Sequence, residues 1–180
     1  MERDTAGWLV NSMAAARLNL PAVMVVGGPM PGGAVFDGRK SDQTSIDEAL
    51  GMLQVGKIGA EDVLNLENTA CPACGSCAFL GTANTMGCVA EALGLGLPGS
   101  GLAPATYAQR RQLAFESGRA VCDLARRGIR ARDILTPASI KNAVRVVSSI
   151  SGSTNAVLHL CALAHEAELD LDVMECFRSM

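Results

Sequence analysis

The chain has 180 residues, of which 49% are hydrophobic and 18% charged, and its formal net charge is −3. A slightly acidic chain argues against nucleic acid or an anionic membrane as the main partner. The length suits one domain, or part of one, with a substantial core. Aromatic residues are only 3% of the total, which favours helices packed closely on a sheet over a β-sandwich.

The same patterns predict a cytoplasmic protein. No stretch approaches the about 20 apolar residues of a membrane span, and the start, Met1–Asp4, lacks the apolar core of a secretory signal. The cysteines number seven, an odd count that makes a disulfide framework an unattractive interpretation.

The first elements indicate an α/β fold. A helix is predicted from Trp8 to Leu18, with Asn19 ending it in the left-handed conformation. The apolar run 22–26 follows Pro21 and reads as a buried parallel strand. These elements predict helix-rich layers on a small parallel sheet, within a single partial domain over residues 1–180.

A glycine-rich loop, Gly27–Gly33, comes directly after that run. Ligands in open α/β sheets bind at the carboxyl ends of strands, so Gly28 is a candidate substrate contact. The loop lacks the spacing of a phosphate-binding P-loop, and a turn imposed by its two prolines is the alternative interpretation.

Three helices are predicted around the middle of the chain. The first runs from Ser41 to Val55, with Ser45 and Glu48 as a capping box. A short helical turn follows at 60–66, and a longer helix at 78–93.

Three cysteines, Cys71, Cys74 and Cys77, lie in the loop before the last of these helices. Thiolates suit iron–sulfur clusters, zinc or copper(I), and a helix N-terminus favours the thiolate. The spacing alone leaves four interpretations open: an iron–sulfur cluster, half of a zinc site, a redox dithiol, or small buried apolar side chains.

Glu91 lies near the end of its helix without a basic residue one turn away. It is therefore a candidate for a substrate or metal shell, with a local hydrogen bond or a solvated acid as alternatives.

A long helix at 105–127 should stop at Gly128, and Thr136 should cap the next helix. Arginines near the end of the long helix suit its dipole, with phosphate binding as the alternative: Arg126, Arg127, Arg130 and Arg132.

The segment 151–155 opens a further helix. Free backbone N–H groups and the side chains of Ser153, Thr154 and Asn155 make it a candidate anion site, whereas simple N-capping by Ser153 is the alternative. His159 on this helix is expected to be a satisfied core histidine. A last helix is predicted from Asp170.

Several of these motifs occur together, and in the same order, in one known family. The matching stretches are 17–21 running into Gly27-Gly28-Pro29-Met30, the cysteine stretch 71–77 with 81–86 and 90–99, Asp133–Thr136, and 152–160. In them the chain resembles the dihydroxy-acid dehydratase / 6-phosphogluconate dehydratase family. The resemblance covers nearly the whole chain.

The resemblance implies an iron–sulfur hydro-lyase (lyase) that converts 2,3-dihydroxy acids or sugar acids into 2-keto acids. It implies an iron–sulfur cluster, 2Fe-2S or 4Fe-4S, together with Mg²⁺, and a homodimer in the full-length family. By position in the motif, Cys77 is the implied cluster ligand, whereas Cys71 and Cys74 match the motif without being expected ligands. Roles in amino-acid biosynthesis or carbohydrate acid metabolism follow from the same resemblance.

The chain departs from the family pattern at its start. Where the family has a Cys-Asp-Lys triplet carrying a cluster cysteine and magnesium-site groups, this chain has Met1-Glu2-Arg3. The segment 8–13 also looks three residues longer than the family pattern. The family has a still earlier segment with a third cysteine and another acid, and a carboxy-terminal half with a further metal ligand and the base; this chain has no counterpart of either. Two hypotheses follow: a piece of a dehydratase that is inactive in isolation, or a non-catalytic remnant or small-acid/metal-binding module without a cluster.

Overall fold

The structure is a computed structural model that describes the backbone of residues 3–180 and the side chains of residues 7–180; the Met1-Glu2-Arg3 departure lies outside the described side chains. Its elements in chain order are α1 (Arg3–Leu18), β1 (Val35–Phe36), β2 (Arg39–Lys40), α2 (Gln43–Gln54), α3 (Ala60–Thr69), α4 (Thr82–Ala92), α5 (Ala108–Arg127), α6 (Ala131–Ile134), α7 (Pro137–Ser149), α8 (Asn155–Glu166) and α9 (Val173–Arg178). The predicted helix-rich architecture is confirmed. None of the described helices is long and apolar enough to cross a bilayer.

The main core is a helical cluster in which α1, α4, α7, α8 and α9 bury their apolar faces. The apolar stripe of α7 faces this core, with Ile140, Val144 and Val147 all buried. Thr136 caps this helix as expected, accepting a hydrogen bond from the N–H of Ser139 at 3.2 Å. Most of the tertiary stability therefore comes from amphipathic helix faces meeting one another.

A second, smaller cluster joins α2, α3 and the β1–β2 hairpin around Ala49 and Val63. The predicted capping box at the start of α2 is wrong in its partners: the cap is Asp42, whose carboxylate accepts from the N–H of Ser45 at 3.2 Å. Glu48 instead pairs with Arg39 of the hairpin. Ser45 is the third residue of the helix and the partner in this box, since its hydroxyl accepts from the N–H of Asp42 at 3.1 Å.

The predicted buried strand at 22–26 is not a strand, and the sheet that the described residues form is the antiparallel hairpin β1–β2. Within the run, Met24 donates its N–H to the carbonyl of Leu95 at 2.6 Å. Met24 and Val26 pack against the main core, while Val25 is 50% exposed. An apolar run determines an extended, half-buried segment, but a strand also needs a neighbour that supplies a ladder.

Helix ends shift modestly from the sequence prediction. Helix α3 continues to Thr69, and α4 begins at Thr82, so that Cys77 lies before its first turn. Gly128 ends α5 in the left-handed conformation with φ +68°, as predicted. Helix α5 is largely exposed and buries Arg110 and Ser117.

His159 is not the satisfied core histidine that the sequence suggested. Both ring nitrogens are buried and have no hydrogen-bond partner among the described residues. Burial lowers the pKa of His159 from its ordinary 6.5, because desolvation disfavours the charged ring.

This environment predicts a pH dependence of stability. As the pH falls below 6.5, the His159 ring takes up a proton in the unfolded chain but not yet in the folded chain. The free energy of unfolding is therefore highest above pH 6.5 and decreases as the pH falls towards the lower pKa of the folded state. We expect His159→Phe to flatten this decline in urea-unfolding free energies measured above and below pH 6.5. The exposed His165→Gln serves as control and should retain the decline; an unchanged slope in His159→Phe would contradict the prediction.

Candidate functional site

A cavity of about 220 Å³ lies where the amino-terminal part of α1, the glycine-rich loop and the start of α4 meet. Met24, Val26 and Met86 form apolar walls, and polar side chains interrupt them. The polar lining consists of Trp8, Asn11, Ser76 and Asn84. A concave site with apolar walls and a few convergent polar groups is typical of a small-molecule site.

The glycine-rich loop and the cysteine loop lie side by side along this cavity. The N–H of Met30 donates to the carbonyl of Ser76 at 2.9 Å, and the N–H of Ser76 donates to the carbonyl of Gly28 at 3.0 Å. Backbones approach this closely only without side chains between them: a Cβ on Gly75, at φ +142°, would lie 2.4 Å from the Met30 nitrogen. The two loops predicted separately from the sequence therefore form one paired unit.

Asn84 on α4 holds the cysteine loop in place. Its side-chain amide donates to the carbonyls of Cys77 at 2.6 Å and Phe79 at 2.7 Å. Its side-chain oxygen accepts from the hydroxyl of Ser76 at 2.5 Å. Asn84 is only 5% exposed, so these bonds satisfy a buried amide and orient the backbone on both sides of the Cys77 thiol.

The three cysteines of the loop differ in their surroundings. Cys77 is half-buried, and its Sγ lies 3.9 Å from Oε1 of Gln43, whereas Cys71 and Cys74 are exposed. Across the described side chains no group of three or more His, Cys, Asp or Glu residues is arranged to hold a metal. Within residues 7–180 the loop therefore presents Cys77 as a single half-buried thiol next to the cavity wall and does not by itself complete a ligand set.

A buried arginine fastens the other side of the glycine-rich loop. Arg110, 7% exposed, donates to the carbonyls of Val26 at 2.8 Å and Ser100 at 2.7 Å, and also to that of Ala103. No described carboxylate forms an ion pair with it, and burial lowers its pKa. Gly28 lies against the guanidinium, since a Cβ there would be 2.7 Å from Nη2 of Arg110.

The predicted anion site at 151–155 lies beside the start of α4. The Ser153 and Thr82 hydroxyls are 2.9 Å apart, and the Asn155 amide donates to the Thr82 hydroxyl at 3.0 Å. The Ser153 hydroxyl also accepts from the N–H of Asn155 at 3.3 Å, but the N-cap of α8 is Thr154, so simple N-capping by Ser153 is not what the structure shows. Thr154 is exposed. Two helix N-termini, of α4 and α8, thus converge, and both favour negative charge.

Glu91 has the local role that the sequence left open. Its carboxylate accepts from the N–H of Gly99 at 2.7 Å and of Gly101 at 3.0 Å. It therefore fixes the loop that follows α4, and the residues that line the cavity do not include it.

Of the residues that line the cavity, the sequence predicted Gly28 in the glycine-rich loop but not the polar side chains of Trp8, Asn11 and Asn84. Arg110 carried no signal, since it is one of two adjacent arginines and only the fold decides which is buried. Asn84 lies within a motif that was recognised, yet its bonding could not be read from its position. Trp8 and Asn11 were assigned only to a helix.

The comparisons with known proteins agree with the motifs. A model of the family described as dihydroxy-acid/6-phosphogluconate dehydratase N-terminal matches residues 7–180. A protein named dihydroxy-acid dehydratase from Caldanaerobacter subterraneus subsp. tengcongensis is 49% identical over 163 residues, covering 91% of this chain and 29% of that protein. Its counterpart from Lachnospira eligens is 51% identical, covering 89% and 29%.

A third relative, dihydroxy-acid dehydratase 2 from Corynebacterium efficiens, is 53% identical over 163 residues and covers 88% of this chain. In each of these three relatives the matched segment is 29% of the whole protein. With a family match that extends from α1 to the last residue of the chain, the chain belongs to the dihydroxy-acid/6-phosphogluconate dehydratase N-terminal family.

Proposed function

We propose that this chain forms the amino-terminal part of a hydro-lyase that removes water from a 2,3-dihydroxy acid to give a 2-keto acid. The observation that supports the proposal is the pairing of the cysteine loop with the glycine-rich loop, since Ser76 of the first and Gly28 of the second line the same cavity. The names of the relatives favour a dihydroxy acid over a sugar acid as substrate.

Cys77 is the residue proposed to bind an iron–sulfur cluster, either 2Fe-2S or 4Fe-4S. A thiolate is a suitable ligand, and its half-buried position allows access. The remaining ligands, and those for Mg²⁺, are proposed to come from outside residues 7–180, since the described side chains hold no complete set. When bound, the two groups would supply a Lewis acid for the leaving hydroxyl and charge for the carboxylate.

The side chains of this chain are proposed to bind the substrate and to orient the loops around it. The N-termini of α4 and α8 converge around Thr82 and would favour the substrate carboxylate. Asn84 fixes the direction of the Cys77 backbone through its two donated hydrogen bonds. Arg110 holds the glycine-rich loop in the conformation that leaves the cavity open.

The proposal can be tested by transplanting this chain into a whole relative. The segment 7–180 would replace the matched part of the Caldanaerobacter subterraneus protein, which keeps its own remaining sequence. We expect the chimera to produce 2-keto acid from 2,3-dihydroxyisovalerate and, after anaerobic reconstitution with iron and sulfide, to show charge-transfer absorbance. Cys77→Ala in the chimera should abolish both signals.

Cys122→Ala, an exposed cysteine on α5, is the matched control and should leave both signals unchanged. The 180-residue chain alone should incorporate little stable cluster, because one thiolate cannot hold it. Full activity in the Cys77→Ala chimera would refute the ligand assignment. A folded chimera without activity or absorbance would favour the alternative, a small-acid-binding or remnant module without a cluster.

A further inference from the structure

Helix α1 contributes a polar edge to the cavity that the proposed function does not use. Gly7, Trp8 and Asn11 line the cavity from this helix. Trp8 is 7% exposed, and its indole Nε1 is buried with no hydrogen-bond partner among the described residues. Asn11, one turn further along the helix, is exposed and lines the same cavity.

An indole N–H can only donate a hydrogen bond. A buried donor left unpaired costs stability, so such a group in a cavity wall calls for an acceptor brought by something else. The Trp8 ring is held in place by the main core, of which it is a member. Its N–H is therefore a fixed donor rather than a mobile one.

We propose that Trp8 and Asn11 together bind an oxygen atom of the ligand, so that α1 determines which small acids the cavity accepts. The ligand class, a short 2,3-dihydroxy carboxylate, rests on the proposed function. Either the carboxylate or a hydroxyl of such a molecule supplies the acceptor that the indole lacks. The apolar surface of Met24, Val26 and Met86 then faces the aliphatic part of the ligand.

The test uses the 180-residue chain itself, with binding measured by isothermal titration calorimetry. The probes are 2,3-dihydroxyisovalerate, isovalerate, which lacks the hydroxyls, and 2-methylbutane-2,3-diol, in which a methyl group replaces the carboxylate. Trp8 is the single tryptophan of the chain, so a change in its fluorescence on addition of the first probe locates the binding at this cavity.

Trp8→Phe keeps an aromatic ring and removes the N–H, and Asn11→Leu keeps the approximate size and removes the amide. We expect each variant to weaken binding of 2,3-dihydroxyisovalerate by about tenfold, the value of one hydrogen bond. Val10→Ala, on the same helix at a position 63% exposed, is the control and should bind like the wild type. Circular dichroism should find all three variants folded.

The probes also identify the acceptor. If Trp8→Phe weakens isovalerate as well, the indole binds the carboxylate; if it weakens the diol instead, the indole binds a hydroxyl, and either result supports the proposal. Equal affinities in wild type, Trp8→Phe and Asn11→Leu would overturn it while leaving the chimera result intact. Absence of binding or of a fluorescence change in the wild type would also overturn it, whereas the dehydratase proposal is decided separately by keto-acid formation in the chimera.

Discussion

Arg110→Met is expected to lower the free energy of unfolding by about 3 kcal/mol, because three buried carbonyls lose their donors at about 1–3 kcal/mol each and only part of this is offset by removing a desolvated charge. Those carbonyls belong to Val26, Ser100 and Ala103, in two separate segments that this guanidinium joins. Urea unfolding followed by circular dichroism measures the change. Arg110 is thus predicted to stabilise the backbone segments next to the cavity.

Its neighbour Arg111 is the matched control, since it has the same charge and also lies in the first turn of α5 but is exposed. Arg111→Met should change stability by no more than about 0.5 kcal/mol. Arg110→Lys keeps the charge but loses the planar fork and should fall between the two. If Arg110→Met and Arg111→Met unfold at the same urea concentration, the guanidinium does not support the loops.

Gly75→Ala is the second change with a large expected effect. An alanine Cβ would lie 2.4 Å from the Met30 nitrogen and 2.8 Å from the Met30 Cα and the Pro29 carbonyl carbon, all backbone atoms that cannot move aside alone. Strain at φ +142° and the overlap together should cost about 3 kcal/mol or more. The hydrogen bonds between Ser76 and the glycine-rich loop should weaken with it.

Gly118→Ala is the control for Gly75→Ala and should change the free energy of unfolding in the opposite direction. It lies inside α5, where a Cβ would meet nothing within 4 Å, so it should stabilise the chain by about 0.5–1 kcal/mol. Alkylation of Cys77, followed by peptide mass spectrometry, should accelerate in Gly75→Ala and stay unchanged in Gly118→Ala. A Gly75→Ala chain that is as stable as the wild type and alkylates at the same rate would refute the paired-loop account.

Parts of the site could be predicted because the signal is local. The residues between 71 and 86 form a recognisable motif in any context, and Thr136 or Gly128 act on the few residues next to them. Cys77 could be singled out by resemblance, whereas its spacing to Cys71 and Cys74 suggested three equivalent ligands. The structure separates them by exposure, since two are exposed and Cys77 is half-buried.

The sequence by itself determined the helical character of the chain, most of its helix ends and its family, because periodicity, caps and motifs are properties of neighbouring residues. Only the tertiary structure decided that 22–26 lacks a ladder, that Glu91 holds a loop, and that Arg110 rather than Arg111 is buried. These outcomes depend on which distant backbone atoms come within hydrogen-bond range, as Val26 and Ser100 do at Arg110. The cavity, too, was decided by the tertiary structure. Its wall is formed by α1, two loops and α4 together, so the sequence of any one of these segments does not predict it.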